Sequence, residues 1–435
     1  MQFFYRAILL GTIAAFSSFL SLAGWADNAI SDRLTLREAV SATLEHNPQL
    51  ARHHFRVKAL EGERQTAALK PQFHLATQLE NIVGTDDFKG VDSSELTLSL
   101  SSLIELGTQR KARLDLITIR EQQLESTQRV LTLDILTQVT HQFIKVAAVQ
   151  EQLLLLKQAQ QFAQETVNSL AKQLQAGRTP EAELLRAKAT LVRSTIDIEK
   201  AKQLLKSERV KLSIFWAQTQ PEFTQVQADL FSLPSLAPRL TLVNQLANNP
   251  DLAVLADDVS VRSAERQQIQ AERKQPMEWN AGIRRFQVTN DSAFLLGISL
   301  PLGSSGRQSG AMMTANANQA GAEQQYDNAR IELHAHFLSV YEAFEQTLAE
   351  VNALRNDILP TLKQAMRATA EAFNQGRYSY LELSLAQREL LDSQLTLIDT
   401  TARAHALSTD IERLTGNTLS PITTSLPHSK VKTQP

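Results

Sequence analysis

Four short stretches of the chain alternate apolar with polar residues, two in each half. In ELTLSLSSL (95–103), leucines alternate with threonine and serines. A period of two is typical of a strand that has one apolar face. The polar stretches TDDFKGVDS and TNDS predict turns that join the strands into hairpins. The predicted strands span about 72–83 and 94–103 in the first half, and about 277–288 and 293–302 in the second.

A long helix follows each predicted hairpin. Residues 108–176 contain neither glycine nor proline, and apolar residues recur at helical spacing, as at Leu131 and Ile135. At 1.5 Å per residue this helix would extend about 100 Å. Its counterpart, residues 308–375, carries Pro360 and is expected to kink there. A glycine turn and a return helix come after each long helix.

The two halves are copies of one unit. GRTPEAELLRAKATLVRS (177–194) matches GRYSYLELSLAQRELLDS (376–393) at a constant offset of 199 residues. The motifs NPQL and NPDL form a second pair, each in a helix of about 30 residues that begins near Thr35 or Leu240. Two repeated motifs in register argue against chance similarity. The predicted organisation is a first repeat (27–217, glycine turn at 177), a linker (218–237), a second repeat (238–416, glycine turn at 376) and a disordered polar tail (417–435).

Neither the strands nor the helices can bury their apolar faces within one chain. The smallest membrane barrels have about eight strands, twice the number predicted here. An isolated pair of hairpins would also leave unpaired edges. Oligomerisation resolves both problems if several copies close one barrel and the long helices pack as a coiled-coil-like wall. The alternative is a secreted structural coiled-coil protein without a pore, which would not explain the duplicated hairpins.

Composition and the N-terminus add further constraints. The chain has 44 basic and 46 acidic residues, so it lacks the basic excess of a protein that binds nucleic acid. It has no cysteine, so neither disulfides nor a lipoprotein anchor on cysteine is expected. Residues 1–26 predict a secretory signal peptide, with Arg6 ahead of an apolar run. An uncleaved membrane anchor is the alternative interpretation.

Four features together resemble the TolC-like outer-membrane efflux family. They are the paired NP[QD]L helices, the strand–helix junctions, the paired glycine turns and the repeat spacing. LSLSSLIELGTQRKAR (98–113) and FLLGISLPLGSSGRQSG (294–310) look most like the outer-membrane components of heavy-metal RND efflux systems, the CzcC/CusC-like branch. The resemblance covers nearly the whole chain after the predicted signal peptide.

The resemblance implies a mainly α protein with a small β part, assembled as a homotrimer. Each protomer would give four strands to a twelve-stranded outer-membrane β-barrel that is continuous with a periplasmic α-helical barrel. The glycine turns would form the tip of the helical barrel, and the linker (218–237) would be equatorial. The implied role is the passive exit duct of a tripartite pump in the Gram-negative outer membrane, with heavy-metal cations as substrates. Its partners would be outer-membrane lipid, a periplasmic adaptor and, through the adaptor, an inner-membrane RND-type pump. Ducts for organic compounds or for type I polypeptide secretion are the alternatives.

The glycine turns form the candidate docking site. Gly177 and Gly376 fit the position after a helix at which a positive φ is needed. Thr179 and Ser379 are expected to cap the return helices, and Pro180 fits a first helical turn. The preference of these residue types for turns and helix starts would be enough to explain their presence. The resemblance further implies that the two turns form the periplasmic tip that meets the adaptor. The implied docking residues are Gly177, Arg178, Thr179, Gly376, Arg377 and Ser379.

Glu183 and Glu382 lie six residues after each glycine and are the candidate gate. An acid early in a helix also favours the helix dipole, which would explain a single glutamate. In a trimer the two positions would bring six carboxylates to one constriction, which would favour cations. The resemblance implies this role for Glu382, although a second acid of the family pattern is replaced by Leu385. Tyr378 is the third gate candidate, as a latch of the closed tip together with the two arginines.

No motif for catalysis or for a resident metal is present. The nine histidines are scattered, without zinc-ligand spacing, and there is no phosphate loop or GxSxG motif. We therefore expect no enzymatic activity, no cofactor and no specific metal site.

Overall fold

The computed structural model describes residues 32–301 and 305–416. The predicted signal peptide (1–26) and tail (417–435) lie outside these residues. The described chain is mainly helical with a small sheet, and the order of elements in the first half recurs in the second. The first half contains β1 (Arg33–Thr35), α1 (Leu36–His46), α2 (Pro48–Ala68), β2 (Phe73–Glu80), β3 (Glu95–Ile104), α3 (Gln109–Gln175) and α4 (Glu181–Ser213). The second contains β4 (Gln225–Gln227), α5 (Arg239–Gln245), α6 (Pro250–Glu272), β5 (Met277–Phe286), β6 (Ser292–Ser299), α7 (Ser305–Ala353), α8 (Leu359–Asn374) and α9 (Tyr380–Thr415).

The two hairpins form a single antiparallel sheet in the order β2-β3-β5-β6. The halves meet at its centre, where β3 pairs with β5 from Glu95 to Ile104, and β2 and β6 are the edges. Leu98 lies opposite Ile283, which lies opposite Phe294, so apolar residues share one face. This face is uncovered, with Phe294 89% and Leu296 82% exposed. Soluble monomers rarely expose a continuous apolar surface, which usually marks contact with another protein or with a membrane.

The opposite face of the sheet is polar and is held by one arginine. The guanidinium of Arg284 donates to Glu80 at 3.0 Å, to Glu95 at 2.9 Å and to the hydroxyl oxygen of Thr97 at 2.9 Å. These contacts link β2, β3 and β5 across the polar face. The sheet therefore has one apolar and one polar face, the arrangement of a strand wall between lipid and water.

The long helices carry the chain away from the sheet. α3 has 67 residues and extends about 100 Å, packed along α4 and α9. Its counterpart is interrupted by a π-helical turn over Leu354–Ile358, directly before Pro360 in α8. Proline lacks a backbone N–H and disturbs the ladder of hydrogen bonds behind it, which accounts for the interruption at this point.

The predicted helix of about 30 residues at the start of each half is wrong, because both helices are broken at the Asn-Pro pair. The side-chain oxygens of Asn47 and Asn249 accept from the backbone N–H groups two and three residues later and so cap α2 and α6. The following proline takes the first helical position, where its missing N–H costs nothing. It also disfavours a helical conformation for the asparagine, so the helix cannot run through.

The same two asparagines join the short helices to the return helices. Nδ2 of Asn47 donates to the carbonyl oxygen of Phe215, just after α4, at 2.8 Å. Nδ2 of Asn249 donates to the carbonyl oxygen of Leu414, near the end of α9, also at 2.8 Å. Each return helix therefore abuts α2 or α6 end to end, so both halves build a second helical column beside the long helix.

A core lies midway along the long helices. β1 and β4 pair in parallel and pack with α1, α3 and the end of α4 around Phe143, Trp216 and Phe223. Nε2 of His405 in α9 lies 2.9 Å from the carbonyl oxygen of Leu230. The predicted equatorial linker thus contains a strand and contacts helices of both halves.

A histidine–aspartate pair between α3 and α9 predicts a dependence of stability on pH. Nε2 of His141 lies 3.1 Å from Oδ1 of Asp410 and 3.2 Å from the carbonyl oxygen of Ala406. The hydrogen bond to Asp410 raises the pKa of His141, against the opposing effect of burial. A raised pKa means that the stabilisation is fully present below the unfolded value of about 6.5 and is lost as the pH rises through the folded value.

We therefore expect His141→Gln to reduce stability more at pH 5.5 than at pH 8. The difference should be about 0.5 kcal/mol, the scale of a partly exposed ion pair. Urea unfolding of the purified protein at the two pH values measures it, and Asp410→Asn should reproduce it. An equal loss of stability at both pH values would contradict this role.

Candidate functional site

Each of the two long helical columns ends in a turn, and the two turns are of the same type. Gly177 and Gly376 have φ values of +68° and +73°. At the first turn, the N–H of Gly177 donates to the carbonyl oxygen of Leu174, and the N–H of Arg178 donates to that of Gln173, both at 2.9 Å. The second turn repeats this pattern. This pair of hydrogen bonds is a Schellman motif, which requires the positive φ that glycine adopts at little cost. A Cβ at either glycine would meet open space, so backbone conformation and not packing requires glycine here.

The return helices begin differently in the two halves. Ser379 is the N-cap of α9, and a capping box joins it to Glu382, whose carboxylate accepts from the backbone N–H of Ser379 at 3.0 Å and from its hydroxyl. Thr179, which was predicted to cap α4, does not do so, because Pro180 occupies the N-cap. The hydroxyl of Thr179 instead donates to Oε2 of Glu183 at 2.7 Å. The expectation that Pro180 lies within the first turn is also wrong by one position.

The two turns share one hydrophobic core. Leu184 of α4 and Leu383 of α9, which are equivalent in the repeat, are both buried there with Phe373. The hydroxyl of Tyr380 donates to that of Thr190 at 3.0 Å and so links the two return helices. The structure therefore brings the two glycine turns together into a single tip.

Tyr380 was missed as a site residue, because the sequence drew attention to Tyr378 two positions earlier. Tyr380 is buried, whereas Tyr378 is 50% exposed. The spacing contained a signal, since Tyr380 and Leu383 are three residues apart and share one helix face. Tyr378 remains at the surface of the tip, where a neighbouring molecule could contact it.

The four charged candidate residues at the tip differ in their solvent exposure and in their bonding partners. Arg178 and Arg377 are exposed, and within the described residues neither has an ion-pair partner. Glu183 is half-buried and Glu382 is exposed. The hydrogen bond from the Ser379 hydroxyl, together with the backbone N–H bonds, lowers the pKa of Glu382. Its carboxylate is therefore ionised at neutral pH, with both arginines free at the same tip.

Other candidate chemistry is sparse. Among the residues that the structure describes, no three histidine, aspartate or glutamate side chains converge as metal ligands. No helix within 32–301 and 305–416 combines the length and the apolar character needed to cross a membrane. Leu385, which replaces the second acid of the family pattern, is 56% exposed on α9. The first turn of α4 also carries the exposed Glu181, and the last turn of α3 carries Lys172, so the charge at the tip is not limited to the candidate residues.

The fold is that of outer-membrane efflux channels. The structure superposes on crystal structures of CusC with a TM-score of 0.74 at 16% identity, covering 92% of this chain and 96% of that chain. It superposes on the outer membrane protein VceC of Vibrio cholerae with a TM-score of 0.71 at 18% identity, covering 88% of this chain and 97% of that chain.

The chain belongs to the outer membrane efflux protein family, whose pattern matches residues 39–217 and 241–417. A relative, the cobalt-zinc-cadmium resistance protein CzcC of Cupriavidus metallidurans, is 25% identical over 384 residues, which are 88% of this chain and 90% of the relative. The resemblance that was drawn from the sequence is confirmed. The protein is thus an outer-membrane efflux channel component and not an enzyme.

Proposed function

We propose that the protein is the exit duct of a tripartite efflux pump and that heavy-metal cations are its cargo. The structure of the sheet is the observation that supports the duct role. Among the described strands, the sheet has an exposed apolar face, a polar face and two unpaired edges. The free backbone N–H and C=O groups of an edge strand can pair with a strand of another chain. Addition of β6 of one copy to β2 of the next would satisfy both edges.

A homotrimer is the assembly that we propose. Three copies would close a twelve-stranded barrel, with leucines and phenylalanines facing lipid and the Arg284 network facing a watery lumen. The helical columns of the three copies would continue this lumen as a periplasmic tunnel. The signal peptide would direct export, and the region around β1 and β4 would form an equatorial belt on the tunnel.

The tip turns are the proposed docking end and gate. Gly177, Arg178, Thr179 and their counterparts Gly376, Arg377 and Ser379 lie at the far end of the helices from the sheet, where a periplasmic adaptor could reach them. The exposed, unpaired arginines are suited to acidic groups of such a partner. An inner-membrane RND-type pump would supply the energy through the adaptor, and the duct itself would be passive.

The glutamates define the proposed constriction. Three copies would bring three Glu183 and three Glu382 carboxylates to one opening, and a ring of carboxylates favours cations over anions. Both side chains are tethered within their own turn, Glu183 by Thr179 and Glu382 by Ser379. The carboxylates would therefore hold a fixed position as the tip opens. Tyr378, which is exposed at the second glycine turn, is the proposed latch.

The proposed cargo rests on the similarity to CzcC, whose name specifies resistance to cobalt, zinc and cadmium. The likeness covers 88% of this chain and 90% of the relative. The ring of carboxylates proposed for the constriction is compatible with divalent cations.

The assembly is tested by extraction of the expressed protein from outer membranes. We expect a trimer by native mass spectrometry in detergent that resists SDS until it is heated. A monomer of the same mature chain, or recovery in the soluble periplasmic fraction, would contradict the duct.

A further inference from the structure

A cleft of about 430 Å³ lies at the end of the sheet from which the helices depart. Its lining includes an aromatic pair, Phe73 and Trp279, called here the aromatic wall, and two cations, Lys70 and Arg110, called the basic wall. Nothing in the duct role described above uses this cleft. There the exposed apolar face of the sheet meets two exposed cations, Lys70 and Arg110.

The aromatic wall belongs to the apolar face. Phe73 lies opposite Ser102, which lies opposite Trp279, so the two rings flank β3 on the same side of the sheet. Their centroids are 6.3 Å apart in an edge-to-face arrangement, and Phe73 is 68% exposed. Aromatic rings at the end of an apolar band are typical of the boundary between hydrocarbon and headgroups.

The basic wall has no acidic partner of its own. Lys70 and Arg110 are exposed, and neither has a carboxylate within 4 Å among the described residues. The nearby carboxylate of Glu105 is bound to Arg113 at 2.6 Å and is thereby neutralised. A third cation borders the cleft, since Nζ of Lys274 lies 3.7 Å from the position that a Cβ on Gly107 would occupy. The cleft therefore concentrates positive charge just below the aromatic pair.

We propose that this cleft binds a phospholipid of the periplasmic leaflet, with its anionic phosphate headgroup on Lys70 and Arg110 and an acyl chain along Phe73 and Trp279. The proposal rests on the outer-membrane barrel proposed above. A basic pocket at the edge of an apolar span binds anionic headgroups, and long basic side chains reach from the apolar edge to the headgroup level. A soluble anion would use the cations but would leave the aromatic wall exposed, so the combination favours a lipid.

Tryptophan fluorescence of the full trimer in lipid vesicles can test this site. Of the tryptophans in the described chain, Trp279 lies in the cleft and Trp216 is buried in the core around β1 and β4. Brominated lipids quench only tryptophans that they touch. We expect brominated phosphatidylglycerol to quench about twofold more strongly than brominated phosphatidylcholine at equal mole fraction. Trp279→Phe should remove the quenching, and excess inorganic phosphate should not reduce it.

The double variant Lys70→Gln/Arg110→Gln should make the two lipids quench equally. Lys157→Gln/Lys172→Gln is the matched control, because it removes two exposed cations of the helical column and should keep the preference. Equal quenching by both lipids in the parent protein, or an unchanged preference in the double variant, would overturn the lipid site. Protection by inorganic phosphate would indicate a soluble anion instead. Absence of Trp279 quenching by either lipid would contradict the barrel itself, so the two failures are distinguishable.

Discussion

Replacement of Gly282 with alanine should remove most of the assembled channel from the outer membrane. A Cβ at this position would lie 2.6 Å from the carbonyl oxygen of Leu98 and 3.0 Å from Cα of Ser99. These are backbone atoms of β3 and cannot rotate away, so β3 and β5 would be forced apart. This pairing is what joins the two halves of the sheet. Strain of this kind costs about 1–3 kcal/mol in each protomer.

We expect the heat-modifiable trimer of Gly282→Ala to fall at least about tenfold on outer-membrane gels, since every protomer carries the strain. Ala281→Val is the matched control. It adds volume at the adjacent residue, on the apolar face of the same strand, and should leave the trimer at the parent level. A Gly282→Ala protein that accumulates as well as the control would show that the central pairing tolerates a side chain.

The double variant Glu183→Gln/Glu382→Gln should lose most of the cation selectivity of the channel. Glutamine can keep the capping hydrogen bonds, so the tip should fold as before, while six charges would leave the proposed constriction. In planar bilayers under a salt gradient, the reversal potential should move toward zero by about half or more. The low pKa of Glu382 predicts that the selectivity of the parent channel persists in mild acid.

Glu165→Gln/Glu345→Gln is the matched control for the ring. It neutralises one exposed acid on each long column, in α3 and α7, and both acids lie at least 12 residues before the glycine turns. This variant should keep the parent reversal potential. The ring hypothesis is wrong if the tip variant also keeps it.

Local chemistry made much of the fold predictable. The alternation around Leu96–Leu100 and the glycines at 177 and 376 act within a few residues, so their elements could be read from the sequence. The break at Asn47 was also local, but the helical periodicity on both sides hid it. Thr179 was misassigned because Pro180 competes for the same cap.

The remaining features depend on distant parts of the chain. The pairing of β3 with β5 joins residues between 173 (Ile104 with Met277) and 191 (Glu95 with Phe286) positions apart, and the bond of Arg284 to Glu95 spans 189 positions. The packing of the two tips through Tyr380 and Thr190 spans 190 positions. The edges of β2 and β6 are not paired with each other within one chain, so the proposed barrel and the proposed ring of glutamates both require further copies of the chain. No periodicity in a single repeat encodes such partners.

The most direct test of the proposed export duct is metal tolerance. We would delete the gene in its native host, complement it with the parent chain or with Gly282→Ala, and measure growth in zinc, cobalt, cadmium, copper and silver alongside dyes and antibiotics. Our account predicts lower tolerance to at least one of the metals in the deletion strain, restored by the parent chain but not by Gly282→Ala. Loss of resistance to organic compounds only, with metal tolerance intact, would contradict it.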